Sequence, residues 1–398
     1  MTATADASLP SITCPSSLIA SCPPLLGFYP ERSLICLAHR SGISTPVVAR
    51  IDVVEDDRAE SCADDLAQRL ARTGCSHVTV VLWLGVPDGA DRRELPGILL
   101  VEHLERSLAG LGLSIDFAVA TNATVWWPLL CPTASCCSHG ARPLDTEVAG
   151  RVRVQYAVAG YAPLASRDDL SEQLAADPEL VARSRRFLMD NRASSTTLAQ
   201  RRREVDQMWQ ALRPLSPNPE SRQRACDPGR HLDVEQRTQP LWPAPQGGSR
   251  GVGAASPESA VRALGDVGIR DAILVRLAKD QSACRTCWRH SIAVLSEVVR
   301  AAPPGHVAPG ATLLGLVAWL SGDGALGTVA LERALDDDPD YRLALLARDL
   351  LSSGLDPRRW RETATDLTEE ACLRQARCRR SGPPTASHPQ GAGSSTGL

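Results

Sequence analysis

Apolar and polar positions change their spacing several times between residues 33 and 130, and each change marks an element. SLICLAH and TPVVARIDVV are runs of apolar and β-branched residues that predict strands, with the intervening RSG as a turn. DDRAESCADDLAQRLARTG then places Leu66, Leu70 and Ala71 at helical spacing, and Gly74 stands where a left-handed cap would close the helix. HVTVVLWLG follows as an unbroken apolar run of buried-strand character, and RRELPGILLVEHLERSLAGLG as a helix closing at Gly110 or Gly112. SIDFAVA and TVWWPLL are two further strands. The short connection through Thr121 and Asn122 makes them an antiparallel hairpin.

Strands alternating with helices predict an α/β domain over residues 11–165, with a mixed, mostly parallel sheet carrying an antiparallel edge hairpin. Residues 1–10 are expected to be a disordered start, and 166–213 a set of charged helices ending in AQRRREVDQMWQALR. The run Arg201, Arg202, Arg203 could contact an acidic partner, but a solvated helix face is the favoured reading. Residues 214–257, rich in Pro, Gly, Ser and Arg without periodicity, predict a disordered linker. Five segments of 3.6-residue periodicity then predict an all-α domain over 258–362, broken at Pro303-Pro304, Gly322 and Pro339. A helical remnant and disordered tail complete 363–398.

Composition narrows the class. At 398 residues the chain exceeds one ordinary core, and its 43% hydrophobic and 22% charged residues are those of a globular protein. Aromatics contribute 4%, so the cores must be aliphatic. A net charge of -3 offers no global attraction to nucleic acid, and no nucleic-acid partner is expected. Lys279 is the single lysine among 43 basic residues, as codon usage in a GC-rich genome would produce. The start MTATADASLP has no basic and apolar leader pattern, and LLGLVAWL is far too short for a membrane span. The expectation is a cytoplasmic protein without a membrane partner. Its 13 cysteines are then no disulfide framework, and burial as small hydrophobes is their commonest fate.

Candidate chemistry concentrates in WWPLLCPTASCCSH, where Cys131, Cys136, Cys137 and His139 are dense in metal-ligand types. Structural zinc sites usually come as two separated Cys pairs, whereas adjacent Cys136 and Cys137 point apart, so a packed corner is favoured and zinc remains an alternative. No cofactor is predicted. Ligands of open α/β sheets bind beyond the carboxyl ends of parallel strands, which selects Asp88, Gly89, Thr121 and Asn122, with Trp127 as an aromatic floor. These four are also ordinary turn residues. Cys284-Arg285-Thr286-Cys287 is a lone CxxC without a preceding strand, and Cys284, Trp288, Ser291, Leu295 and Val298 form a core stripe across it. Asp336-Asp337-Asp338 reads as a solvated turn before Pro339. The nucleotide-binding glycine fingerprints and the GxSxG, HExxH and EF-hand patterns do not occur.

Two resemblances add to this. Gly315, Gly322, Gly327, Ala334 and Pro339 succeed one another at steps of 7, 5, 7 and 5, similar to the small, Gly, small, Ala and Pro positions of a tetratricopeptide repeat. Ala318 stands where that repeat usually has an aromatic, so a bundle of two or three degenerate hairpins is implied. LIASCPPLLGFYPERSLICLA, the VWWPLLCPTASCC loop and LLGLVAWLSGDGALGTVALERALDDDPDYRLA together resemble the actinobacterial family catalogued as Domain of Unknown Function 4192. That resemblance implies a cytoplasmic protein and transfers no activity. The leading expectation is a non-enzymatic interaction or regulatory module that holds a protein partner through its helical domain. A ligand binder or enzyme at the strand-end rim is the first alternative, and a structural zinc protein the second.

Overall fold

A computed structural model describes residues 10–39, 47–130, 140–191, 197–213, 255–280, 285–355, 357 and 366–374. The cysteine loop 131–139, residues 214–254 of the expected linker 214–257, Cys284 and the terminal segments 1–9 and 375–398 lie outside the described residues, while Ser256 and Pro257 of that linker open a helix.

The first half holds a mixed sheet of six strands, β1 (Ser33–His39), β2 (Val47–Asp52), β3 (His77–Trp83), β4 (Ser114–Thr121), β5 (Val125–Pro128) and β6 (Arg142–Pro143), in the order β2-β1-β3-β4-β5-β6. The expectation of a mostly parallel sheet is corrected. Only β3 and β4 pair in parallel; β1 is antiparallel to both β2 and β3, and β5 is antiparallel to β4 and β6. Helix α2 (Asp56–Arg72) does cross from β2 to β3, but β1 lies between those strands. A helical connection shows that a crossover occurs; it does not show that the two joined strands are neighbours.

Both faces of the sheet are covered, which accounts for its unbroken apolar strands. Leu34, Cys36, Val80, Leu82 and Ala120 meet α2 and α3 (Ile98–Gly110) through Leu66, Leu70, Leu100 and Leu104. Pro96 and Gly97 delay α3, leaving a 3-10 turn at Arg92–Glu94 before it. The alternate positions Ile35, Leu37, Val81 and Val119 face the other way, onto Leu18 and Ile19 of α1 (Pro15–Leu26). Periodicity did not reveal α1, whose last turn contains Pro23 and Pro24. Its ends carry local signals all the same: Cys14 and Ser17 form a capping box, Pro15 takes the first position, and Gly27 closes it at φ 83°. Helix α4 (Thr146–Val158) packs on α1, with Tyr156 almost fully buried.

The remaining helices are α5 (Arg167–Glu172), α6 (Pro178–Asp190), α7 (Leu198–Leu212), α8 (Pro257–Leu264), α9 (Val267–Lys279), α10 (Arg285–Ala301), α11 (Val307–Ser321), α12 (Gly324–Asp337), α13 (Arg342–Ser352) and α14 (Glu369–Arg374). Their apolar core is continuous with the α1 face of the sheet. The charged segment takes part in this packing, since α6 meets α8 and α7 meets α9. Arg201 is accordingly not on a solvated face. It is 9% exposed and bound to Asp266, while Arg202 pairs with Glu370.

Helices α11 and α12 form a tight antiparallel hairpin turned by Gly322 at φ 91°. A Cβ on Gly315 would stand 3.1 Å from the Gly327 carbonyl oxygen and 2.8 Å from Leu331. One on Gly327 would meet Leu351 of α13 at 3.0 Å and the Gly315 carbonyl oxygen at 3.2 Å, so three helices converge on that glycine. Ala334 is fully buried in the same core.

Candidate functional site

The parallel pair β3 and β4 ends where the chain predicts a binding rim. After Trp83 the backbone stays paired for one more step, Leu84 N–H donating to the Thr121 carbonyl at 2.8 Å, and then turns at Pro87–Ala90. Gly89 occupies that turn in open space, and Ala90 N–H closes it on the Pro87 carbonyl at 3.1 Å.

Asn122 organises the facing turn. Its Oδ1 accepts from Thr124 N–H at 3.0 Å and Val125 N–H at 2.9 Å, the side-chain mimicry of a backbone turn at which asparagine excels. Thr121 is fully buried and donates its hydroxyl to the Val125 carbonyl at 2.8 Å. Directly after Asn122, Ala123 is held at φ 74°, a left-handed conformation that alanine rarely adopts.

The two turns are stitched together by side chains. Asn122 Nδ2 donates to the Val86 carbonyl at 2.9 Å and to Asp88 Oδ1 at 2.6 Å, and the Thr124 hydroxyl donates to the same Asp88 oxygen at 2.7 Å. The Thr124 bond, then the Asn122 bond, holds the exposed Asp88 carboxyl below its ordinary value, because hydrogen bonds donated to a carboxylate favour the charged form. Asp88 and Asn122 are therefore in contact, Thr121 is turned inward onto its own turn, and Thr124, which periodicity does not single out, completes the group around Asp88. Its place three residues past a strand end, opposite an aspartate, emerges only when β3 and β4 are paired.

Trp127 lies elsewhere. It is fully buried against the α2 and α3 layer, with Nε1 donating to the Ala90 carbonyl at 3.1 Å, so it braces the turn from beneath. Trp126, on the opposite side of β5, is half-buried beneath the Arg142 guanidinium at 5.2 Å. Because β5 runs antiparallel to β4, it carries the chain back from this rim before Cys131, Cys136, Cys137 and His139, which lie outside the described residues.

The other candidate groups resolve into packing and capping. Trp288, Ser291, Leu295 and Val298 are buried as a stripe, Ser291 donating to the Leu212 carbonyl at 2.8 Å. His290 Nε2 meets the Ala211 carbonyl at 3.0 Å, and burial lowers its pKa. Cys22 and Cys36 are fully buried thiols pushed up to about 12 by loss of solvent. Asp337 is no solvated turn residue: it accepts from Gly305, Val307 and Ala308 N–H at 2.6, 2.9 and 3.0 Å, capping α11 across the hairpin. Among the described residues no group of three or more His, Cys, Asp or Glu stands together as a metal site, and no helix is long and apolar enough to cross a membrane.

A family model described as Domain of unknown function (DUF4192) matches residues 15–358. No curated protein and no solved structure matches the chain.

Proposed function

The chain belongs to the DUF4192 family, a domain of unknown function, and from that premise we propose that it is a non-enzymatic cytoplasmic interaction or regulatory protein that binds a protein partner through its helical half. The observation that carries this reading is the meeting of α11, α12 and α13 at Gly327. Small residues at that junction let antiparallel helices stack closely, as in tetratricopeptide-like hairpins, and such stacks present helix faces to partners. Of these three helices, α13 turns Ala344 and Ala347 inward and leaves Leu346 61% exposed. Leu346→Glu should leave the melting temperature unchanged and remove a partner that the wild-type chain captures from its native host. Recovery of the same chaperones by both proteins, and nothing else, would sink this reading.

A second reading is supported by the convergence of Asp88, Asn122 and Thr124 at the ends of parallel strands, the usual place for a small polar ligand in such sheets. It requires a metabolite that raises the melting temperature of the wild type and not of Asp88→Ala. If a metabolite screen produces no shift with the wild type, this reading loses its support.

A further inference from the structure

Helix α14 lies on α9 and α7, joined to them by the buried side chains of Cys372 and Leu373 and by a set of their cations. Arg276 of α9 grips Glu369 through two bonds, Nε to Oε1 at 2.8 Å and Nη2 to Oε2 at 2.5 Å, while its Nη1 donates to Asp206 of α7 at 2.9 Å. Arg202 of α7 donates to Glu370, and Lys279 to the Leu367 carbonyl. Buried Arg201, anchored by its Nε on Asp266 at 3.0 Å, donates Nη1 to the Leu373 carbonyl at 2.6 Å. The segment buries just two of its helical side chains, Cys372 and Leu373, and a cleft of about 180 Å³ remains between it and α7 and α9.

These features describe a receptor and its occupant more than a piece of core. Asp206 and Asp266 orient Arg276 and Arg201 independently of α14, so the cations are pre-positioned for an acidic guest. Six residues are too few to sustain a helix alone, so α14 depends on what it binds. Its ionic grip is open to water: Arg202 and Glu370 side chains are 56% and 35% exposed, and such pairs weaken with salt. Recognition uses two carboxylates, two main-chain carbonyls and two apolar side chains, which a helix of the form Glu-Glu-x-apolar-apolar supplies together with the two residues before it.

We propose that the groove between α7 and α9 is a binding site for an acidic amphipathic helix of a partner protein, occupied in cis by residues 366–374. It extends the interaction reading to a second surface but does not depend on Leu346, so loss of one leaves the other standing.

The test uses full-length variants that release the segment by unrelated means. Cys372→Ser with Leu373→Asp removes the two side chains that α14 buries and leaves the groove and its cations as they are. Glu369→Lys with Glu370→Lys removes the ionic grip instead. A labelled peptide of sequence DLTEEACLRQ should bind both variants about tenfold or more tighter than it binds the wild type. Binding should fall with salt, and should be lost with lysines at both peptide glutamates or on adding Arg202→Ala and Arg276→Ala. Released variants that melt cooperatively yet bind no peptide, or a wild type that binds it as tightly, overturn the proposal. If both variants unfold, hydrogen exchange on the wild type decides: amides of 369–374 should open before those of 267–279, with salt widening the gap. Opening of the two together would make α14 integral core and overturn the proposal equally.

Discussion

Asn122 Nδ2 donates to Asp88 Oδ1 over 2.6 Å and so ties the turn after β4 to the turn after β3. Asn122→Ala removes that bond, the one to Val86 and the two that Oδ1 accepts from the backbone. Urea unfolding should show a loss of about 1–2 kcal/mol, since ordinary hydrogen bonds contribute about 1 kcal/mol each and some of these groups can turn to water. Asp88 adds a pH dependence of definite sign. Its folded carboxyl titrates below the ordinary value, so its stabilisation is present above that value and is lost as pH falls through the folded one. Asp88→Ser should flatten this acid limb in a plot of melting temperature against pH.

Ala123→Gly should stabilise the protein. The alanine is held at φ 74°, where its Cβ crowds the following carbonyl oxygen. Glycine relieves this at some entropic cost in the unfolded chain, leaving a gain of about 0.5–1 kcal/mol, readable as a higher urea midpoint with unchanged slope.

Glu297 of α10 should make the helical half less stable above neutrality. Burial pushes its carboxyl up to about 7 from an ordinary 4.5; Glu258 and Asp177 reinforce the rise, while Arg300 and Arg183 oppose it. Between these two values the folded chain holds a proton that the unfolded chain has released, so stability falls as pH rises and the loss is complete above about 7. The carboxyl is only half-buried, so solvent screening limits the effect to about 1 kcal/mol. Glu297→Gln should melt higher than wild type at pH about 8 and equally at pH about 4.

Asp337→Ala should cost about 1–2 kcal/mol, because three backbone donors ahead of and within the first turn of α11 lose their acceptor. Asp337→Asn keeps an acceptor oxygen and should recover most of the loss. Equal losses in both variants would show that charge, not the cap geometry, holds the hairpin end.

Local chemistry is what the sequence determined. The helices from 267 to 352, their stops at Gly322 and Pro339, and the small residues Gly315 and Gly327 were legible, because helical period and glycine caps are properties of neighbours in the chain. The same is true of a rim built around Asp88 and Asn122, which follows from strand ends. Tertiary structure decided the rest. Whether β3 lies beside β2 or beyond β1 depends on which strands share hydrogen bonds across many residues of loop, and a crossover helix fits either arrangement. Arg201 looked like one of three solvated arginines until Asp266 and the Leu373 carbonyl, 65 and 172 residues away, came within reach of its guanidinium. Asp337 became a cap because the hairpin carries it back to the start of α11. A charged side chain is interpreted by the partners that folding brings to it, and those partners have no spacing in the sequence that periodicity can read.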